Sequence, residues 1–266
     1  MSEQPQTWHY GLVARWWAEF NAPDSDELAF YRSIIEGDGQ PALDLACGTG
    51  RLLLPLLSHG LDVDGCDVSP DMLALCRAEA SRQGLSPRLY QQAMHDLDLP
   101  RRYRTIYICD SFGIGGQRNQ DAAALQHCYD QLDPGGTLVF SHFLPNYDSE
   151  RWSYWLPEQR QRLPEAWREA GTRKRAANGD EIELRTRIVD LDPLEQRLTL
   201  ELHAELWRDG RLEAKEDRLL AETLYFRNEI QLLLANTGFA AVSVLTAYSG
   251  EEPTPDDTFL VFSARK

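Results

Sequence analysis

A chain of 266 residues, 42% of them hydrophobic, has enough apolar content for one large domain or a domain with a sizeable insertion, and needs no disulfide or metal to fold. Its formal net charge of -15 repels phosphate backbones and anionic lipid, so nucleic acid and membrane surfaces are poor partners and a neutral or cationic small molecule is the easier one to recruit. No stretch approaches the roughly 18 consecutive apolar residues of a bilayer span, and no basic segment followed by an apolar run opens the chain, which disfavours export.

Up to about Gln40 the pattern is helical. Tyr10, Val13, Trp16, Trp17 and Phe20 recur at three- and four-residue steps, which places aromatic groups on one face, and Asp24 or Asp26 is suited to cap a second helix. From Pro41 to about Pro145, short apolar runs (ALDLA, VDGCDV, RLYQQAM, RTIYICD, TLVFSHF) alternate with helical patterns, one of them opening at Ser69-Pro70. The turn Asp133-Pro134-Gly135-Gly136 precedes the last of these runs. Strands alternating with helices imply right-handed crossovers and a mainly parallel sheet covered on both faces.

Beyond Arg151 the period changes to two. Ile182, Leu184, Thr186 and Ile188 share one face of a strand, and Leu198, Leu200, Leu202, Ala204 and Leu206 share one face of the next. Asp192-Pro193 marks a turn and Asp209-Gly210 a hairpin, giving three or four antiparallel strands whose opposite face carries Glu201, His203 and Glu205. A helix over 228–236, closed by Gly238, and two strands, AVSVLTAY and DTFLVFSAR, end the chain. The basic run Arg173, Lys174, Arg175 reads as a solvated face. Cys47, Cys66, Cys76, Cys109 and Cys128 lie mostly in apolar runs with no metal-ligand spacing, so reduced core thiols, a cytoplasmic protein and no metal site are expected.

The motif with the most chemistry is Leu43-Asp44-Leu45-Ala46-Cys47-Gly48-Thr49-Gly50, a strand entering a glycine turn and then a helix. Glycine there lets the backbone pass close to a ligand at the strand's carboxyl end. Asp67 ends the next strand about 20 residues later, where an acid can accept hydrogen bonds from ribose hydroxyls. A nicotinamide dinucleotide is the competing ligand, but its fingerprint has a third glycine where Leu53 stands.

Read in order, LDLACGTG, VDGCDVSPDML, QQAMHDLDLP, RTIYICDSFG and LDPGGTLVF resemble the successive motifs of the class I S-adenosylmethionine-dependent methyltransferases. The resemblance implies an α/β, Rossmann-like, seven-stranded, mainly parallel sheet with helices on both faces and an antiparallel last strand. It divides the chain into an N-terminal helical lid (1–40), a cofactor-binding core (41–150 and 227–266) and an antiparallel β insert (151–226) that either covers the acceptor or builds a homodimer interface. The implied cofactor is S-adenosylmethionine. Asp44, Ala46, Cys47, Gly48 and Gly50 would surround its methionine part, Asp67 its ribose, Val68 and Met72 its adenine. Ala46 stands where the family often has glycine. Ala93 stands where the family has an acid that reads adenine, so backbone groups at Ala93 and Met94 take that role, with Asp96 a second candidate.

Methyl transfer from a sulfonium is an in-line displacement, so alignment and exclusion of water are the main demands on the protein. Tyr10, Trp16 and Trp17 are candidates for an aromatic lid over the cofactor, suited to a sulfonium by cation-π attraction. The ends of the fourth and fifth strands should face the cofactor and acceptor, which selects Asp110, Ser111, Phe112, Ser141, His142 and Phe143, with His142 as the candidate base. Trp152, Tyr154, Trp155 and Trp167 would either line the acceptor pocket or form the seam between insert and core. The expected activity is methylation of O, N or C of a small molecule. The alternatives are a non-catalytic cofactor-binding protein, a protein or RNA methyltransferase, and an NAD-dependent dehydrogenase.

Overall fold

The computed structural model describes residues 7–266, so positions 1–6 of the expected lid lie outside the described residues. The chain begins with α1 (Gly11–Phe20) and α2 (Ser25–Asp38). Asp24 caps α2: its carboxylate accepts the Asp26 N–H at 2.8 Å, while Glu27 reaches back to the Asp24 N–H at 3.4 Å, a reciprocal closure of orphan donors. Then follow β1 (Ala42–Leu45), α3 (Leu53–Ser58), β2 (Val63–Asp67), α4 (Pro70–Arg82), β3 (Leu89–Gln91), β4 (Tyr103–Ile108), α5 (Arg118–Gln131) and β5 (Leu132–Phe143). After short helices α6 (Ser149–Ser153) and α7 (Pro157–Arg160) come β6 (Thr172–Arg175), β7 (Glu181–Asp192), β8 (Arg197–Arg208) and β9 (Arg211–Thr223). Finally α8 (Arg227–Thr237), β10 (Ala240–Thr246) and β11 (Phe259–Arg265) close the chain.

The main sheet has the order β10-β11-β5-β4-β1-β2-β3. β1 pairs in parallel with β2 on one side and β4 on the other, while β11 runs antiparallel to β5, as expected of the last strand. Alternation sorts the residues of these strands into two layers. Leu43, Leu45, Ile106, Ile108 and Phe140 pack under α5 and α8, and Ala42, Tyr107 and Val139 pack under α2, α3 and α4. Burial on both faces explains why these strands read as continuous apolar runs. The turn expected at Asp133-Pro134-Gly135-Gly136 is instead a bulge within β5. The register jumps from Tyr103↔Leu132 to Thr105↔Thr137, leaving residues 133–136 outside the pairing with β4, while Gly135, at a left-handed φ of 74°, and Gly136 exchange backbone hydrogen bonds with Lys266.

β6 to β9 form a separate antiparallel sheet in sequence order. Asp209 and Gly210 both have positive φ, 49° and 74°, the conformation of a tight hairpin turn matched to strand twist. Asp192 accepts the N–H groups of Leu194 and Glu195 at 2.8 and 3.1 Å, fixing the β7–β8 turn. Leu198, Leu200, Leu202 and Ala204 are buried as their alternation predicts, whereas Thr186, expected on the same inner face, is exposed. The outer face is a ladder of cross-strand ion pairs, Arg187–Glu201 at 2.6 Å, Arg185–Glu205 at 2.8 Å and His203–Asp217 at 2.6 Å. The basic run is exposed, as expected of a solvated face, and it is also paired: Arg173 meets Glu183 at 2.7 Å, Arg175 meets Glu181 at 2.7 Å, and the Lys174 ammonium lies 5.0 Å from the Trp16 ring centre.

Two connections seat this sheet over the carboxyl ends of the main strands. The Thr223 N–H donates to Gly113 O at 2.8 Å and the Gly115 N–H to Ala221 O at 2.7 Å, so the end of β9 clips onto the loop after β4. α1 lies against the buried face of the β-insert through Leu12 and Val13. It is fixed to both neighbours: Arg15 pairs with Asp180 at 2.8 Å, and the Gly11 N–H donates to Asp71 at 2.8 Å. Among the described residues, no helix is long and apolar enough to cross a membrane.

Candidate functional site

β1 sends its connection to one side and β4 to the other, so a crevice opens between them at the carboxyl ends of the strands, where such sheets bind ligands. A cavity of about 620 Å³ occupies it, lined at its edges by Trp8 and Trp17 from the N-terminal segment and Leu220 from the insert. That volume lies within the range of small-molecule sites, roughly 300–1,000 Å³.

The glycine turn forms one wall. Ala46 adopts a left-handed φ of 67° and Gly48 one of 54°. The N–H groups of Ala46 and Cys47 donate to Cys66 O at 2.8 and 3.0 Å, holding the turn against the end of β2. The Gly48 N–H donates to Asp67 Oδ2 at 2.8 Å and the Ser69 N–H to Oδ1 at 2.8 Å. Each carboxylate oxygen thus keeps a lone pair for a ligand hydroxyl. Burial raises the Asp67 pKa, opposed by its bonds from Ser69 and Gly48. A Cβ on Gly48 would meet no protein atom within 4 Å, which is the open approach a ligand needs. Asp44 lines the same wall, and burial pushes its pKa up to about 7. Gly50 has a different place: it stands off the cavity, and a Cβ there would lie 2.7 Å from Cys76 Sγ and 2.9 Å from Leu54 Cγ. Its left-handed φ of 86° serves the packing of the turn on α3 and α4.

At one end the cavity is walled by Val68, Met72, Ala93 and Met94, with His95 beside them. Asp96 does not join this wall; its side chain is 59% exposed, against 12% for His95. At the other end stand Cys109, Asp110, Ser111, Phe143, Tyr248 and Phe259. Asp110 has a left-handed φ of 50°, held by the side chain behind it. The Ser141 hydroxyl accepts the Asp110 N–H at 2.9 Å, accepts Tyr31 OH at 3.3 Å, and donates to Asp110 Oδ1. Ser141 is fully buried, so it supports Asp110 rather than facing an acceptor.

Sequence reasoning missed the pair beside Asp110. Glu27, only 4% exposed, accepts both terminal nitrogens of Arg51, one at 2.7 Å, together with Cys109 Sγ at 2.8 Å and Tyr248 OH at 3.3 Å. Burial alone would raise the Glu27 pKa; hydrogen bonds from Arg51 and Cys109 outweigh it and hold the pKa below the usual value. Glu27, Cys109 and Asp110 bring ligand atoms within 4.8 Å of one another, but the Arg51 guanidinium, 3.0 Å from Cys109 Sγ, already supplies a cation to this group. In sequence, Glu27 is legible only as the capping-box residue of α2, and no motif points to Tyr248 or Phe259.

Several expected placements are corrected. His142 does not line the cavity: its ring is buried, with Nε2 3.2 Å from Tyr225 O, and burial lowers its pKa to about 4. In a strand that alternates, Phe143 faces the cavity and His142 the core. Phe112 turns inward to rest 5.1 Å from Phe140 and 5.4 Å from Tyr225. The Arg218 guanidinium covers Tyr10, 6.0 Å from the tyrosine ring centre, and Trp16 is packed under Lys174, so of the three lid aromatics Trp17 alone reaches the cavity. Of the two roles expected of the insert's aromatics, the seam fits Trp152 and Trp155, which meet Phe226 between insert and core, whereas Tyr154 is buried within the insert and Trp167 lies 5.9 Å from His203 on its outer face.

Residues 42–136 match the family model described as "Methyltransferase domain". Over 106 residues the chain is 37% identical to a demethylmenaquinone methyltransferase of Thermus thermophilus, covering 39% of this chain and 47% of that protein. The chain spans about two fifths to a half of the length of the curated relatives it matches first. Among solved structures, an S-adenosylmethionine-dependent methyltransferase from Clostridium acetobutylicum superimposes with a TM-score of 0.70 at 18% identity, over 92% of each chain. The sugar N-methyltransferase KedS8 from Streptoalloteichus superimposes with a TM-score of 0.69 at 19% identity, over 100% of each. Residues 42–136 therefore match a methyltransferase domain, and the chain as a whole has the class I, Rossmann-like fold of these structures, extended by an antiparallel sheet.

Proposed function

We propose that this protein binds S-adenosylmethionine in the crevice between β1 and β4 and methylates O, N or C of a small molecule held beneath the insert. The observation that carries the reading is the meeting of Gly48 and Asp67 at 2.8 Å on the wall of a cavity that continues past them to Phe143, Tyr248 and Phe259. The residues present fit the ligand. A Cβ at Gly48 would occupy empty space, the Asp67 carboxylate keeps capacity for ribose hydroxyls, and Val68, Met72, Ala93 and Met94 give adenine an apolar slot. Trp17 lines the cavity, and its indole N–H is buried without a hydrogen-bond partner, a donor that a bound polar group would satisfy.

When bound, S-adenosylmethionine supplies a methyl group on a sulfonium, activated for in-line displacement. The chain's own part is positioning and exclusion of water. The glycine turn and Asp67 fix one end of the ligand, and Trp8, Trp17 and Leu220 cover the crevice. Asp110, held in its left-handed conformation by Ser141, and Phe143 face the far end. The insert's apolar face is used internally against α1, which favours the role of acceptor cover over that of homodimer interface. The space beyond Asp67 argues against a sealed, non-catalytic binding protein. Leu53, buried where a dinucleotide fold has its third glycine, argues against a dehydrogenase.

Calorimetric titration with S-adenosylmethionine, S-adenosylhomocysteine and NAD in parallel tests this. Micromolar binding of the two sulfur ligands with no NAD signal is the expected result; binding of NAD alone, or of none, overturns it.

A further inference from the structure

We propose that the acceptor is a small amine, bound through its ammonium form by Asp110 between Phe143, Tyr248 and Phe259, and that it carries no phosphate or carboxylate. This rests on the methyltransferase reading and adds the chemical class of the second substrate.

Charge gives the first argument. The cavity is lined by six carboxyl groups, Asp24, Glu27, Asp44, Asp67, Asp110 and Asp121; Glu27 is offset by Arg51, and Asp44, pushed up to about 7 by burial, is only partly ionised at neutral pH, so the net sign is still negative. Among the described residues lining it, Arg51 is the sole lysine or arginine, and Glu27 engages both of its terminal nitrogens. Nearby guanidinium groups outside the cavity are also engaged: Arg118 with Glu229 at 3.6 Å, Arg151 with Glu222 at 3.7 Å, and Arg197 with Gly116 O. An anionic acceptor would enter a field of its own sign with no free cation to receive it, whereas an ammonium is drawn in.

Geometry gives the second. The Ser141 hydroxyl is saturated by two accepted bonds and one donated to Asp110 Oδ1. The Asp110 carboxylate receives the Ser141 hydroxyl on Oδ1 and a hydrogen bond from the Cys109 side chain, which leaves it further lone pairs, and the residue is open on the cavity side. It can accept N–H bonds from a ligand. The Phe143 and Phe259 rings stand 4.4 Å apart and Phe259 and Tyr248 5.5 Å apart, a continuous aromatic wall suited to an ammonium and to its methylated product. An alcohol can donate one hydrogen bond to the carboxylate but brings no positive charge for the carboxylate or the rings to attract.

The reaction balances as follows. The ammonium releases a proton through Asp110 to water, and the nitrogen lone pair forms the new N–C bond as the C–S bond breaks. That electron pair stays on sulfur, giving neutral thioether and a methylammonium product, with one proton released overall.

The test is binding of phenethylamine, 2-phenylethanol and phenylalanine, matched in shape and differing in charge, to the protein saturated with S-adenosylhomocysteine. Phenethylamine should bind at least tenfold tighter than either of the others. In Asp110→Asn that preference should fall below threefold, while S-adenosylhomocysteine affinity and the thermal midpoint stay at the parent values. An amine signal no stronger than the alcohol's, tighter binding of phenylalanine, or an Asp110→Asn loss that falls on S-adenosylhomocysteine instead of the amine would overturn the proposal. Failure of S-adenosylhomocysteine itself to bind would sink the underlying methyltransferase reading, a separate outcome read in the first titration.

Discussion

The backbone N–H of Gly48 lies 2.8 Å from Oδ2 of Asp67, so the glycine turn after β1 and the acid at the end of β2 are one structural unit. The acid orders the turn, and the turn fixes the carboxylate on the cavity wall. A residue that both holds a loop and faces a ligand is exposed to two kinds of loss on substitution, and these can be separated.

Asp67→Ala should weaken S-adenosylmethionine binding by about 1–3 kcal/mol, the cost of losing charge-assisted hydrogen bonds. Asp67→Asn keeps the shape but turns one acceptor oxygen into a donor, which conflicts with the Gly48 or the Ser69 N–H. Titration calorimetry on both variants, with thermal melts to track the fold, checks this. Unchanged affinity in both would remove Asp67 from the site.

The two glycines of the turn should respond differently to alanine. At Gly48 the added methyl meets no protein atom within 4 Å, so stability falls by only the about 1–2 kcal/mol of a left-handed non-glycine residue, while cofactor binding suffers directly. At Gly50 the methyl would stand 2.7 Å from Cys76 Sγ, adding about 1–3 kcal/mol of overpacking to the same backbone cost. The larger drop in melting temperature therefore belongs to Gly50→Ala and the larger loss of affinity per degree to Gly48→Ala.

That contrast marks how far the sequence could be read. The spacing of Gly48 and Asp67, the Ser69-Pro70 helix start, the Asp209-Gly210 hairpin and the alternation from Leu198 to Ala204 are local signals, and each appears in the fold where its pattern predicts. Side-chain direction at a strand end is not local. His142 and Phe143 are adjacent, and which of them faces the cavity depends on the register of β5 against β11, where His142 opposes Leu260 and Phe143 opposes Phe259. Glu27, Arg51, Cys109 and Tyr248 come from four distant segments and share no motif, so only the folded chain brings them together.

His142 should leave a mark on stability rather than on catalysis. Burial lowers its pKa from 6.5 to about 4, so the unfolded chain binds a proton that the native state refuses. Stability is then fully present above about pH 6.5 and falls as the pH drops from there to about 4, by about 3 kcal/mol for this one group. His9, lowered to about 4 by the same cause, acts in the same window. Chemical denaturation between pH 4 and 8 should show a shallower pH slope in His142→Gln, and the pH profile of turnover should keep its shape.

Glu27 and Arg51 should be strongly coupled. Arg51→Met alone leaves a carboxylate that is 4% exposed without its counter-charge, and breaking a buried pair from one side costs about 3–5 kcal/mol. Glu27→Gln with Arg51→Met removes both charges, and the amide can still receive the Tyr248 hydroxyl, so the double variant should recover a large part of that loss. A thermodynamic cycle of denaturant unfolding on the two single variants and the double one measures the coupling. Additive losses would mean that the pair closes the end of the cavity through shape alone, since a shared charge interaction cannot be lost twice.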